Sequence, residues 1–563
     1  MECACQAVNL TFSSLFWRRG VKTTMNKLLP TLFVILAVMT SCGVGEIYTS
    51  SDKILELVSR ETTLLDALQS HINAEYDNLK ALSGFLSERS KATRTASYDD
   101  LKLQAEHPNG AYHLIKLYTQ DWHHIVMANP LFDKHISHLK PKLPTSDDFR
   151  GACSAIVRLH RMYKLRVDDM YTGNYSGYLG PRLTPDDAFE IGRQAFVDGF
   201  LEESSDWLKV AVEKLAEQDG TRGQTQYTMS KRGQACGLLG RAFYFMNNTD
   251  RATELYNMGR HLDSSSGDIL QLQKELQSQI STDVYGSATE VWHDNMTELC
   301  MWDKSKRVEQ LRPFHFCRYK VALFSLPYIR YKEEILSVAP FVSVFYEMVS
   351  DKEIDTITTY VKGRMYRGLV GMGENATTAY IRTSDLGWMY DDELEIATRV
   401  SERVKSITGL EVAQRTPDGP SSSEAFQIVN YGMGGHYDVH MDPFDHTPDD
   451  NLLNRSGERL ATFLIYLSDV KKGGNTVFVR SKISVAPQKG MALFWYNFDP
   501  SMKKDLQTHH AGCPVIIGHK WIANKWIWTY GNTFRRKCGP RPSSKQLDIE
   551  PLMYSSHKHC TRH

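Results

Sequence analysis

The sequence lacks a surplus of either charge. Its 66 Lys plus Arg equal its 66 Asp plus Glu, so the formal net charge is zero. A grip on nucleic acid or on an anionic bilayer needs a basic surplus, so neither partner is indicated. Long apolar runs are also missing. The most apolar stretch, Leu28 to Met39, is interrupted by Pro30 and Thr31. It falls short of the roughly 20 residues that a spanning helix needs, so stable membrane insertion is not expected. Cysteine is sparse: there are 10, of which Cys3, Cys5 and Cys42 lie near the start. The last four residues, Cys-Thr-Arg-His, are no receptor-read retention tetrapeptide.

What is present first is a leader. Arg18, Arg19, Lys22 and Lys27 precede the apolar stretch, and Ser41, Cys42 and Gly43 follow it. A basic start, a short apolar core and small residues at the exit describe a secretory signal peptide, here over residues 1–45. Met25 would open a complete signal by itself. Secretory entry permits disulfides. Cys300 and Cys317 are close in sequence, as are Cys513 and Cys538. Each pair would close a loop worth roughly 3 kcal/mol. Sequons at Asn174, Asn247, Asn295, Asn375 and Asn454 suit the same compartment.

A chain of 563 residues exceeds one core, and roughly two to four domains are expected. Residues 46–172 are expected to be helical. Within 52–90, Ile54, Val58, Leu65, Leu68, Ile72, Leu79, Leu82 and Leu86 follow a 4-3 spacing that fails at Glu61 and Glu75. Sustained heptads predict a coiled coil and self-association. A second helical block spans 108–172, and 171–177 forms a linker. Thr184 caps a helix that opens at Pro185. Two helix pairs follow, at roughly 185–217 and 230–263. Small residues alternate there with aromatics, as in a tetratricopeptide unit over 178–270. Such repeats offer a concave groove to peptides. Phe196, Phe200 and Tyr244 are candidates to line it. Residues 271–335 form a disulfide-containing linker. From 336 to 538 the texture is β-rich, with short branched or aromatic runs between polar turns, as in a sandwich or barrel. Residues 539–563 are a polar tail. The chain as a whole is expected to be an α+β multidomain protein.

Chemistry enters with His-x-Asp. On a strand, residues i and i+2 share a face and can hold one ion. A second His from another strand completes two His and one carboxylate with open positions, the site of non-haem Fe(II) oxygenases. The pattern occurs three times, at His261-Leu-Asp263, His436-Tyr-Asp438 and His440-Met-Asp442. His261 falls in a helical stretch, where i and i+2 diverge. His436 and His440 share one segment, and spacing alone leaves both open. His509 and His510 are adjacent, so only one can face a metal.

The segment Tyr431-Gly-Met-Gly-Gly-His-Tyr-Asp-Val-His-Met-Asp442 resembles the prolyl 4-hydroxylase motif Tyr-Gly-x-Gly-Gly-x-Tyr-x-x-His-x-Asp. The resemblance continues through Arg459–Asp469, Gly473–Phe478, Lys489–Asn497, His510–Val515 and Gly518–Trp526. With the heptad helix, the helix pairs and Cys300/Cys317, nearly the whole mature chain is similar to the collagen prolyl 4-hydroxylase alpha-subunit family. That resemblance implies a double-stranded β-helix (jelly-roll) over 336–538. It implies Fe(II) on His440, Asp442 and His510. It implies 2-oxoglutarate held through its far carboxylate by Lys520, with Thr476 and Tyr431 in the same pocket. Tyr437 and Trp526 match positions near the substrate proline. The implied reaction hydroxylates peptidyl proline at C4 with O₂, while 2-oxoglutarate is decarboxylated to succinate and CO₂; ascorbate rescues the iron. Implied partners are a proline-containing, collagen-like chain, protein disulfide isomerase as beta subunit, and a second alpha chain in an α2β2 tetramer. Implied residence is the endoplasmic reticulum lumen.

The sequence departs from the family in two places. Trp528 stands where the family has a His thought to assist 2-oxoglutarate. In the groove, Phe196, Phe200 and Arg241 replace tyrosines, and Arg241 invites acidic peptides. Two other functions are a 2-oxoglutarate hydroxylase for another residue and a non-catalytic peptide-binding subunit. Lys520, where lysyl hydroxylases generally carry arginine, disfavours the first; the complete ligand set disfavours the second.

Overall fold

The computed structural model describes residues 51–223, 225–278, 294–302, 316–321, 329–368, 382–414, 421–444, 457–536, 539 and 541. The expected signal peptide, Cys538, Asn375, Asn454 and most of the expected tail lie outside them. The chain divides into two compact units, residues 1–95 and 96–563.

In the first unit, Ser51–Thr95 is a single helix, α1. It covers the predicted heptads. Leu65, Leu68, Ile72, Leu79 and Leu86 are each 51–65% exposed, so these five positions of the stripe are uncovered within their own unit. No helix among the described residues is long and apolar enough to cross a membrane.

The second unit begins with short helices between Tyr98 and His135. Helix α2, Ser146–Tyr163, is opened by a Thr145–Asp148 capping box and ends where Lys164 turns left-handed. Phe149, Cys153, Ile156 and Val157 recur at helical spacing and are buried. After a short helix, Val167–Thr172, come five longer ones: α3, Pro185–Val197; α4, Leu201–Arg222; α5, Gln226–Phe245; α6, Thr249–Leu262; and α7, Gly267–Ser278. Thr184 caps α3 as its sequence predicts. Each expected helix pair is thus an actual pair of antiparallel neighbours in order, and α7 extends the stack past the expected boundary at 270. Its Ile269 and Leu272, three residues apart, are buried. Gly237 lets α5 and α7 meet closely, since a Cβ there would lie 2.8 Å from the Asp268 backbone.

Beside a two-stranded ribbon of Lys472–Gly473 with Val515–Ile517, the described residues of the C-terminal part hold two larger sheets. The strands are β1, Phe316–Val321; β2, Arg330–Val338; β3, Phe341–Tyr346; β4, Tyr366–Arg367; β5, Asp385–Met389; β6, Phe426–Tyr431; β7, Tyr437–His440; β8, Arg459–Tyr466; β9, Thr476–Phe478; β10, Ile483–Val485; β11, Ala492–Tyr496; β12, His510–Gly512; and β13, Lys520–Trp528. A nine-stranded sheet runs β1-β2-β3-β11-β8-β13-β6-β5-β4, and a four-stranded sheet runs β10-β9-β12-β7. Alternation divides the large sheet between two cores. Ala461, Phe463 and Ile465 face outward onto helices α9, Asp351–Lys362, and α10, Glu395–Thr408. Leu464, Tyr466, Leu493, Trp495 and Ile522 face inward onto Phe478, Ile483 and Val485 of the small sheet.

One expectation is corrected. Cys300 is bonded to Cys513, with Cα atoms 5.6 Å apart, so neither Cys300–Cys317 nor Cys513–Cys538 forms. Cys317 is disulfide-bonded as well. Nearness in sequence misled. Helix α8, Asp294–Cys300, lies against the small sheet, where the Leu299 carbonyl accepts from Ser484 Oγ at 2.9 Å. Cys317 instead opens the edge strand of the large sheet. Closing a loop of 213 residues is worth up to about 5 kcal/mol in the chain-entropy model. Non-reducing peptide mapping is expected to recover a peptide that joins Cys300 to Cys513. The Cys300→Ser/Cys513→Ser double variant is expected to unfold at lower denaturant. Recovery of a Cys300–Cys317 peptide would overturn the assignment.

Candidate active site

Strand β7 follows β6 through the turn Gly432-Met-Gly-Gly-His436. Gly434 sits at φ 60, and a Cβ there would lie 2.8 Å from the Ala155 Cβ. The turn therefore needs glycine on both conformational and steric grounds. It delivers β7 antiparallel to β12, with His440 directly opposite His510.

The two imidazoles are oriented alike. His440 Nδ1 lies 2.7 Å from the Asp438 carbonyl, and His510 Nδ1 lies 2.9 Å from the Thr508 carbonyl. A carbonyl can only accept, so each Nδ1 carries the proton and each Nε2 presents a bare lone pair. Those Nε2 atoms lie 3.9 and 3.8 Å from Asp442 Oδ1. The three ligand atoms all fall within 4.8 Å of one another. That is one ion's coordination sphere.

Asp442 is turned by a relay. Trp495 Nε1, a donor only, gives its hydrogen to Asn497 Oδ1 at 2.7 Å. The Asn497 amide nitrogen must then face the other way, and it donates to Thr462 Oγ1 at 3.0 Å. The Thr462 hydroxyl in turn donates to Asp442 Oδ2 at 2.5 Å. Oδ1 is left to the metal side. Burial raises the Asp442 carboxyl, but His510, His440, Arg459 and the Thr462 bond outweigh it and hold it below the ordinary range. Burial, then the neighbouring His510, pushes His440 down to about 3. Both groups thus stand in the ionisation states that a divalent cation requires.

The structure separates the four histidines that spacing left open. His436 is buried and bonded through Nδ1 to Thr383 Oγ1 at 2.7 Å, and burial lowers its pKa well below the ordinary value. His509 lies half-buried, with Nδ1 2.7 Å from the Leu506 carbonyl. Neither joins the cluster.

The two lysines of β13 differ by one parity. Lys525 points outward, fully buried, and pairs with Asp391 at 3.1 Å. Lys520 points inward, also buried, and donates to Thr476 Oγ1 at 3.2 Å. That hydroxyl oxygen also accepts from Tyr466 at 2.8 Å. Among the described residues, no carboxylate pairs with Lys520. Burial alone brings its pKa from the ordinary 10.5 down to about 7. A buried ammonium without a counter-charge is costly, and an anionic ligand would answer it. Tyr431 lies opposite Lys520 in register, its ring 5.7 Å from Nζ. The triad and this lysine together fit a metal with a carboxylate-bearing chelator.

Around the triad, Tyr437 stacks on His440 at 3.6 Å, and the Arg382 guanidinium lies 4.9 Å from the Tyr437 ring. Trp526 pairs across the sheet with Thr462 and is covered by the Arg459 guanidinium at 3.7 Å. Arg459 is held by Glu424 through two bonds, at 2.6 and 2.9 Å. Trp528 is buried and stacks on Phe444 at 6.5 Å. Eight residues along a strand separate it from Lys520 by roughly 25 Å, so it does not sit beside that ammonium.

The candidate groove residues are placed otherwise than a groove requires. Phe196 and Tyr244 are each 4% exposed and belong to the helical core. Phe200 is half-buried beneath Arg161, at 3.9 Å. Arg241 stacks on Phe196 at 4.9 Å and pairs with Glu275 at 2.9 Å and Asp268 at 3.7 Å. Its charge is answered within the fold rather than offered to an acidic peptide.

Thr462, Asn497 and Arg459 were not singled out from sequence. For Thr462 a signal existed: it is the polar residue at an inward-facing position of an otherwise apolar strand.

Two predictions follow from this geometry. Thr462→Val keeps the shape but frees the Asp442 carboxylate to rotate. Fe(II) binding is expected to weaken about tenfold or more, with little change in melting temperature; unchanged affinity in a chelator-competition titration would refute the relay. Lys520 loses its proton above about pH 7 in the free protein, and a bound carboxylate would restore it. Binding of 2-oxoglutarate to the metal-loaded protein at pH 8 is therefore expected to take up close to one proton. Affinity should fall as pH rises above that point. Calorimetry in buffers of differing ionisation heat measures the uptake, and zero uptake would contradict it.

Residues 50–177 match the family described as prolyl 4-hydroxylase alpha-subunit, N-terminal region, and residues 426–528 match the 2OG-Fe(II) oxygenase superfamily. The chain is similar to prolyl 4-hydroxylase subunit alpha-2 of Gallus gallus, with 31% identity over 529 residues, covering 88% of this chain and 95% of that one. It is similar to subunit alpha-1 of Gallus gallus, with 30% identity over 518 residues, covering 88% of this chain and 98% of that one. A solved viral collagen prolyl hydroxylase from Paramecium Bursaria Chlorella virus-1, in its 2OG complex, is 27% identical over 33% of this chain and 95% of its own. Its TM-score of 0.26 bears no weight.

Proposed function

This chain belongs to the prolyl 4-hydroxylase alpha-subunit family, and we propose that its substrates are collagen-like or other secretory-pathway chains. It is an Fe(II)- and 2-oxoglutarate-dependent dioxygenase that converts peptidyl proline to 4-hydroxyproline. The observation that carries the reading is the convergence of His440, Asp442 and His510 within one coordination sphere, together with a buried lysine that pairs with no carboxylate among the described residues.

Iron with 2-oxoglutarate and O₂ supplies the oxidising chemistry that removes hydrogen from C4 of the proline. The chain's own part is placement. In this reading His440 and His510 offer their Nε2 atoms and Asp442 offers Oδ1. The Asp438 and Thr508 carbonyls and the Thr462 relay keep those atoms aimed without reorganisation. Lys520 holds the far carboxylate of 2-oxoglutarate, with Thr476 and Tyr431 shaping the pocket. Tyr437 and Trp526 flank the proline ring. The Arg459–Glu424 pair stiffens the Trp526 wall.

The wider assignments rest on the family and on local features. The uncovered heptad stripe of α1 supports a coiled-coil partnership with a second alpha chain. Helices α3 to α7 support a tetratricopeptide-like module that engages the peptide, with a jelly-roll oxygenase behind it. Protein disulfide isomerase as beta subunit, ascorbate as rescuer of the iron, and residence in the endoplasmic reticulum lumen complete the proposal.

The test is succinate release by the purified complex with a (Pro-Pro-Gly)-type peptide. Peptide-dependent succinate is expected from the wild type and is expected to vanish in His440→Ala. No peptide-dependent succinate at high 2-oxoglutarate would overturn the enzymatic reading, and a fully active His440→Ala protein would overturn the site.

A further inference from the structure

Helix α2 lies outside the oxygenase sheets, yet one of its faces touches the loops that carry the site. Arg158 is buried, at 6% exposure, and its Nη1 donates to the Gly434 carbonyl at 2.8 Å. Ala155, one turn earlier, is the residue that leaves no room for a Cβ at Gly434. Five residues after Arg158, Tyr163 donates its hydroxyl to the Pro514 carbonyl at 2.5 Å, and a Cβ at Gly473 would lie 2.8 Å from that hydroxyl. The loops are also laced to one another. Gly434 N donates to the Val515 carbonyl at 2.9 Å, Val515 N to the Gly435 carbonyl at 3.1 Å, and Gly474 N to the Pro514 carbonyl at 3.1 Å.

Each loop is a short lever on the site. Gly434 stands three residues before Tyr437, whose ring lies on His440. Pro514 stands four residues after His510. Gly473 stands three residues before Thr476. A displacement of about 1 Å in such a segment is enough to spoil a preorganised site. A guanidinium facing a carbonyl in a dry interface is a charge-assisted bond, stronger than a neutral one.

We propose that Arg158 is a positioning residue for the metal site: it pins the Gly434 turn, so that His440 meets His510 and Asp442 at ligand distance, with Tyr163 doing the same on the Pro514 side. The proposal rests on the triad being the iron site. It makes iron affinity a property of the helical region as well as of the oxygenase sheets.

The experiment uses the full chain in its purified complex. Fe(II) affinity is measured anaerobically by chelator competition, with hydrogen exchange over residues 432–440 measured alongside. Arg158→Gln is expected to bind Fe(II) about tenfold more weakly and to exchange faster over 432–440, while exchange in β1 to β3 stays unchanged. Arg158→Lys, which can still donate to one carbonyl, is expected to recover most of the affinity. If Arg158→Gln does not assemble, Tyr163→Phe removes a single hydroxyl and is expected to weaken Fe(II) binding in the same sense. A lower melting temperature with wild-type Fe(II) affinity and unchanged 432–440 exchange, in whichever of these variants assembles, would overturn the proposal. A wild-type complex that takes up no iron would instead overturn the site assignment, and the proposal with it.

Discussion

The site depends on one register. Strands β7 and β12 pair so that His440 and His510 are directly opposite. Side chains alternate across a strand, so a slip of one residue would send either imidazole to the far face. His436 and His509 show what a misplaced imidazole does instead: each is bonded to its own local partner and takes no part in the cluster. The glycines of the turn before β7, the loop lacing after β12 and the relay onto Asp442 all serve to keep that register where a single ion can bridge it.

The same alternation sorts the buried charges. Lys525 and Lys520 share a strand and a depth, but among the described residues only Lys525 has a carboxylate of its own. The fold thus answers one ammonium permanently and leaves the other for a ligand. Keeping Lys520 buried and unanswered works against the stability of the free protein, as desolvated charges do. Such a cost is typical of a group arranged for binding rather than for packing.

Much of this was legible in the sequence, because it lives in short-range pattern. The heptad helix, the capped helix pairs and the strand alternation that separates Lys520 from Lys525 all follow from periodicities of two or about 3.6 residues. Choosing His440 over His436 took a longer motif, and the structure agrees with that choice through Nδ1 bonds that fix each ring. What failed was nonlocal. Cys300 finds Cys513 because α8 packs on the small sheet, which no spacing discloses. Phe196 and Arg241 look like a modified groove in sequence, but Glu275, thirty-four residues beyond Arg241, has already claimed its guanidinium. The Thr462 relay was hidden for a related reason, since Trp495 and Asn497 at the end of β11 reach Asp442 only through Thr462 on β8.

The helical core does not stop at the boundary that composition draws near residue 336. It runs on into Ile516, Ile517 and Met433 of the oxygenase region. Portability suffers accordingly. An oxygenase segment transplanted without α2 would carry an apolar patch designed for contact and a loop cluster short of its outer wall. Chemistry and scaffold are therefore inherited together here, and lineages that recombine the two would have to rebuild that wall.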